Sequence, residues 1–280
     1  MFRKEPNTDI AWSALYSRLE KDNLLNEEGY SYKQRRKILP AYFWAAACVI
    51  ALLSASVFLY THSGKESKEL LTLQNTDSGN ILVKTLDDGS TIYLTSNASL
   101  SYPKSFSPNQ REVSLQGEAL FDIAKNPKKP FLIQTDRVTV KVLGTAFNVK
   151  SSADGHFELA VKRGRVRVTE KEGGSYIEVT AGQSVSFVGN HLVKCTNIDK
   201  RFFDHYTAKM RFKDETLENI VHVINQNNDS FVVLKGNQLK TSRLNVQFYK
   251  NSVDEMTQII SLALNLKREV RQDTIYISQH

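Results

Sequence analysis

The spacing of apolar residues changes repeatedly along this chain, and each change marks a different kind of element. Near the start, Trp12, Leu15, Tyr16 and Leu19 fall at i, i+3, i+4 and i+7, one face of an α-helix. Ser13, Ser17, Arg18 and Lys21 take the opposite positions, and Thr8 or Asp9 supplies an N-cap. A second short helix around Leu24 and Leu25 also fits the pattern, before the polar stretch Asn26–Gln34. Periodicity then disappears: 27 residues from Ile38 to Gly64 pass without a formal charge. Their core, Ala41 to Tyr60, would make a helix about 30 Å long, the thickness of a bilayer's hydrocarbon core.

This uncharged stretch predicts a membrane helix at 38–60. A cleaved signal peptide is the rival, but its apolar run is about 7–15 residues and follows a short basic segment. Here the preceding segment is long and mixed in charge. Ser54-Ala55-Ser56 resembles a cleavage site in residue size, yet the run continues through Val57, Phe58 and Leu59. A buried core helix is the other alternative. Aromatic residues at both ends (Tyr42, Phe43, Trp44; Phe58, Tyr60) match interfacial belts, and Pro40 suits a first helical turn. Lys33, Arg35, Arg36 and Lys37 outnumber Lys65 and Lys68 on the far flank. That bias predicts a single-pass inner-membrane protein with a cytoplasmic N-terminus and a periplasmic C-terminal region.

Beyond a polar linker at 61–80, the pattern becomes short strands separated by turns. Ile81–Leu86 runs into Asp87-Asp88-Gly89-Ser90 and then Thr91–Leu94, a hairpin signal because glycine tolerates positive φ. Val138, Val140 and Val142 alternate with Thr139 and Lys141, as in a half-buried strand. Further strands are expected at 112–116, 118–124, 131–135, 147–150, 157–162, 165–170, 176–179 and 184–188. Residues 81–189 therefore read as an all-β domain, a sandwich or a compact β-solenoid. A connector at 190–209 follows. In 210–280, Leu217, Ile220, Val221 and Ile224 form a helical stripe, and Phe231–Leu234 returns as a strand. The pattern recurs 36 residues later, where Phe248, Val253, Met256, Ile259 and Ile260 align with Phe212, Leu217, Ile220, Val223 and Ile224. Two βαβ-like units predict a small α+β domain.

Composition narrows the function classes. The net charge is +7, spread along the chain apart from the cluster at Lys33–Lys37, which topology and anionic lipid explain better than nucleic acid. The two cysteines, Cys48 and Cys195, fall in different segments and are not expected to pair. Six histidines are scattered without metal-ligand spacing, and neither G-x-S-x-G nor a phosphate-binding glycine loop occurs. No cofactor, metal or conventional enzyme activity is expected. In residues 1–40 eight basic and six acidic side chains nearly balance, which disfavours a basic membrane-lying helix. The Trp12 stripe at 1–37 is too short a segment to form its own core, so it is expected to dock on a partner protein, the membrane surface, or nothing stable.

Three ordered blocks carry a resemblance. Asp88-Gly-Ser-Thr-Ile-Tyr-Leu-Thr-Ser-Asn-Ala-Ser-Leu-Ser-Tyr102 resembles the opening signature of the FecR family of anti-sigma regulators. Arg111–Lys125, Pro130-Phe131 and Val142-Leu-Gly-Thr-Ala-Phe147 are similar to its later blocks in order and spacing. The final repeat resembles the domain that follows FecR regions in Bacteroidetes, akin to the short secretin and TonB N-terminal fold. This resemblance implies an inner-membrane anti-sigma factor. Its tail would hold an extracytoplasmic-function sigma factor through Trp12, Leu15, Tyr16 and Leu19, by a helix-in-groove contact. Its exterior would read the signalling domain of a TonB-dependent outer-membrane receptor, controlling transcription of nutrient-uptake genes. The alternative is a membrane-anchored periplasmic envelope-binding protein without a sigma partner.

Some relatives are understood to cleave themselves at a Gly-Thr in the third block, which makes Gly144-Thr145 a candidate. The threonine hydroxyl would attack the preceding carbonyl, and water would open the resulting ester. The alternative is that Gly144 permits a bend after the 138–143 strand. Glu118 and Asp122 are expected to serve hydrogen bonding rather than acid–base chemistry. Asp87-Asp88 lacks the alternating oxygens of a calcium loop.

Overall fold

The computed structural model describes residues 8–24, 41–62, 69–196 and 198–280, with side chains of the second helix described over 48–58. The chain divides into two compact units, Met1–Glu66 and Ser67–His280.

The first unit holds α1 (Thr8–Lys21) and α2 (Ala41–His62). Asp9 lies in the first turn of α1, and Arg18 and Lys21 lie in the last, each complementing the helix dipole. The helix ends in a tight capping turn. Asn23 takes a left-handed φ of 57°. The Leu24 amide donates to the Leu19 carbonyl (3.1 Å) and the Asn23 amide to that of Glu20 (3.3 Å). This is the Schellman pattern, which satisfies carbonyls that would otherwise lack partners. Leu24 thus belongs to the stop of α1; Leu25 and the basic cluster Lys33–Lys37 lie outside the described residues.

The expectation of a single-pass membrane protein is corrected. Among the described residues, no helix is long and apolar enough to cross a membrane. In α2 the described side chains run from Cys48 to Phe58, all exposed. At about 1.5 Å per residue that stretch covers roughly half of a hydrocarbon core.

The second unit is mostly β. Its first strands are β1 (Leu70–Gln74), β2 (Ile81–Thr85), β3 (Thr91–Leu94), β4 (Ser99–Pro103), β5 (Arg111–Asp122) and β6 (Phe131–Gln134). Next come β7 (Val138–Val142), β8 (Ala146–Ser151), β9 (Phe157–Arg163), β10 (Arg165–Glu170), β11 (Tyr176–Thr180), β12 (Gln183–Val188) and β13 (His191–Thr196). A 3-10 turn (Lys200–Phe203) and α3 (His205–Ala208) lead to β14 (Lys209–Thr216), α4 (Leu217–Asn227) and β15 (Phe231–Lys235). The chain closes with α5 (Asn237–Lys240), β16 (Arg243–Tyr249), α6 (Val253–Leu264), β17 (Lys267–Arg271) and β18 (Thr274–Ser278).

Among the described residues, fifteen strands form one sheet that folds back on itself like a nearly closed barrel, and β15-β18-β17 form a small second sheet. The long strand β5 makes the fold-over. Its first half pairs with β4 and β6, and its second half with β3 and β8. One leaf therefore runs β1-β4-β5-β6-β7-β10-β11, and the other runs β13-β12-β9-β8-β5-β3-β2-β14-β16. Phe121, Phe131, Phe147, Val140 and Val166 pack between the leaves. The sheet of the region expected as all-β, 81–189, runs on into the region expected as α+β, 210–280. The physical reason is the parallel pairing of β2 with β14, Ile81 opposite Met210 and Val83 opposite Phe212. That pairing continues the sheet into the C-terminal region.

The second leaf is consequently buried on both faces, and its central strands read as continuous apolar runs. All four residues of β3 are buried. Ile92 and Leu94 face the first leaf, whereas Tyr93 joins Val83 and Leu120 in a second core with Phe212, Ile220, Ile224, Phe248 and Ile260. The helical stripe Leu217, Ile220, Val221 and Ile224 is buried in that core.

Candidate functional site

Two groups of residues selected from the sequence occupy different settings. The first lies on α1, which buries no residue. Trp12, Leu15 and Tyr16 are 61%, 47% and 60% exposed, and Leu19 is partly covered. On the other side of the helix, Ser13 and Ser17 fold their hydroxyls back onto the carbonyls of Ile10 (3.0 Å) and Ala14 (3.1 Å). The helix therefore presents the aromatic-rich stripe of Trp12, Leu15 and Tyr16 to solvent, while Ile10, two residues before Trp12, lies on the opposite face with Ser13 and Ser17.

The second group is Gly144-Thr145, between β7 and β8. Gly144 has φ of 153°, and a Cβ there would stand 2.6 Å from the Cα of Lys125. Only glycine lets the 125–130 loop close against this strand end, and the Asn126 amide donates to the Leu143 carbonyl at 2.7 Å. Thr145 is buried, and its hydroxyl donates to the Arg165 carbonyl at 3.0 Å. Gly164 carries no side chain because a Cβ would meet the Thr145 Oγ1 at 2.9 Å. A carbonyl oxygen holds this hydroxyl in place but does not take its proton. The surroundings fit a packed strand turn, with the positive φ of Gly144 as the geometric requirement. Of the nearby polar residues in sequence, Asn148 is directed away to bond Glu118, whereas Lys141 is exposed on β7 and lines the same cleft as Gly144 and Thr145.

The carboxylates of the second block are engaged structurally. Tyr206 on α3 donates to Glu118 on β5 at 2.5 Å, and Asn148 on β8 donates to both of them. Burial, together with the Glu118 bond and charge, holds the Tyr206 phenol well above tyrosine's ordinary range. Asp122 accepts from Arg163 at 2.8 Å. Asp88 closes the β2–β3 turn by accepting from the Ser90 amide (3.1 Å) and hydroxyl (2.8 Å), while Gly89 takes φ of 80°. Arg111, fully buried, donates to Asp88 at 2.7 Å and to the carbonyls of Ala124 and Lys129. These contacts explain two of the sequence blocks: they tie a hairpin turn to the start of β5. Among the described residues no group of three or more His, Cys, Asp or Glu could hold a metal ion.

Sequence reasoning missed a cleft of about 600 Å³ beside Gly144, lined by Lys125, Leu143, Thr145, Arg165, Arg167 and Glu178 among others. Arg167 bonds Glu178 at 2.8 Å and holds that carboxyl below its usual range. The available signal was the alternation Arg165-Val166-Arg167, which sends both arginines to one face; their convergence with Lys125 and Lys141 depends on strand pairing.

Residues 73–167 match the family model described as FecR protein. The curated proteins contain no match. Two crystal structures of a candidate anti-sigma factor from Parabacteroides distasonis ATCC 8503, at 2.50 and 1.65 Å, are similar at 21% identity. Each comparison covers 75% of this chain and 99% of that chain, with TM-scores of 0.46 and 0.45.

Proposed function

We propose that this chain, whose residues 73–167 belong to the FecR family, is an anti-sigma factor that captures its sigma factor with α1. The observation that carries this reading is a helix that closes in a Schellman turn and leaves Trp12, Leu15 and Tyr16 uncovered on one face. Burying a large side chain of this kind contributes about 1.5–3 kcal/mol, and an amphipathic helix delivers several at once to a groove. Trp and Tyr are the residue types that most often dominate such contacts.

In its finer form, the sigma factor is of the extracytoplasmic-function class, and the signal comes from the signalling domain of a TonB-dependent receptor. The open sheet edges β16 and β17 support a receptor-facing role for the C-terminal region, since an unpaired edge accepts an added strand. The resulting switch controls transcription without contacting nucleic acid. Co-purification of the chain with the sigma factor tests the assignment. Trp12→Asp places a charge on the docking stripe and is expected to weaken binding at least a hundredfold while leaving the β-rich unit folded. Unchanged binding by this variant would rule out α1 as the docking element.

A further inference from the structure

On the outer face of the first leaf, β7 and β10 bring Lys141 directly opposite Arg167. Like charges in that relation destabilise a sheet. Arg165 lies on the same face of β10, and Lys125 approaches from the loop that Gly144 allows to close. Among the described residues, the only carboxylate lining the cleft is Glu178, which serves Arg167 at 2.8 Å and Arg165 at 3.7 Å. Four cations and one carboxylate thus line the cleft, and Lys125 and Lys141 have no ion-pair partner among the described residues. The cavity they enclose, about 600 Å³, has the size of a small-molecule site rather than of a flat charged surface. Its apolar lining includes Leu143 and the prolines 127 and 130.

We propose that this cleft binds a small organic molecule carrying at least two carboxylate or phosphate groups, its uncharged body resting on Leu143. The two arginines offer planar forks suited to either oxyanion, and the lysines act as adjustable point charges. A bound anion would relieve the repulsion between Lys141 and Arg167, so occupancy is linked to the stability of the β7–β10 pair. The cleft lies wholly within Ser67–His280.

Isothermal titration of the full 280-residue chain with two probes tests the site. Trimesate, a flat ring bearing three carboxylates, represents one source; inorganic pyrophosphate represents the other. At least one is expected to bind with a submillimolar dissociation constant, more weakly as salt rises, and the tighter probe identifies the chemistry. Lys141→Glu is expected to weaken binding at least tenfold without lowering the unfolding temperature, because it removes the like-charge pair. Lys125→Glu, on the loop, provides a second variant with the same expected loss. Amide exchange should slow at residues 125–129 and 143–145 on binding. Absence of binding by both probes at 1 mM would overturn the proposal, as would affinity unchanged in both variants.

Discussion

At Gly117 the backbone takes φ of 92°, and a Cβ there would lie 2.7 Å from the Cα and Cβ of Ala98. This residue sits where β5 leaves one leaf for the other, so its missing side chain lets the sheet fold over. Gly117→Ala combines a left-handed backbone penalty with overpacking and is expected to cost about 2–4 kcal/mol, measured by urea denaturation. Tyr206 gives a second residue-scale prediction. Tyr206→Phe leaves Glu118 and Asn148 without their shared hydroxyl and is expected to cost about 1–3 kcal/mol at neutral pH. Burial raises the Tyr206 pKa, so the folded state favours the neutral phenol. Its contribution is complete below about pH 10, tyrosine's ordinary value, and declines as pH rises beyond it. Denaturation between about pH 9 and 11 should therefore show a steeper loss in the parent than in Tyr206→Phe. Burial raises Tyr93 in the same direction, which adds a slope common to both proteins. The Glu118–Tyr206 contact joins positions far apart in the chain, and no local pattern announces it.

Elements with strong periodicity were legible in the sequence, and those without it were not. In β7, Val138, Val140 and Val142 are buried while Lys141 is exposed, following the alternation. The stripe of α4 is buried in the expected register. By contrast, β1 lies in a stretch expected as linker, and β13 in one expected as connector. Both are edge strands whose residues are almost all exposed, so they lack the apolar alternation that betrays a strand. Strand β5 was expected as two strands, 112–116 and 118–124, because Gly117 interrupts its pattern; one strand shared by two leaves needs that glycine. The start of α6 carries a capping box: Ser252 accepts from the Glu255 amide at 3.3 Å, and Glu255 accepts from the Ser252 amide at 2.8 Å. Ser252→Ala is expected to cost about 1 kcal/mol, read as a lower midpoint in thermal unfolding. The backbone amide of Ser252, then its hydroxyl, lowers the Glu255 pKa, so this support is present above the ordinary carboxylate pKa and fades as pH falls.

Across the whole molecule, the β-rich unit is organised around a leaf with two buried faces. Val83, Tyr93 and Leu120 on its outer face share a core with Phe203, Tyr206 and the C-terminal helices and strands. The 36-residue repeat in the sequence identified those helices, but not that their core includes the earlier strands. That shared core depends on the β2–β14 pairing, a contact between segments more than a hundred residues apart. Against this well-packed unit, α1 stands out as a finished helix with an unfinished surface. If the chain is an anti-sigma factor, that surface is where repression is exerted. Transcription in vitro, with core RNA polymerase and the cognate sigma factor, measures this most directly. Added stoichiometrically, the parent chain should suppress initiation at the sigma-dependent promoter, while Trp12→Asp should restore it at least tenfold. Initiation unaffected by the parent chain, or suppressed equally by Trp12→Asp, would contradict the account.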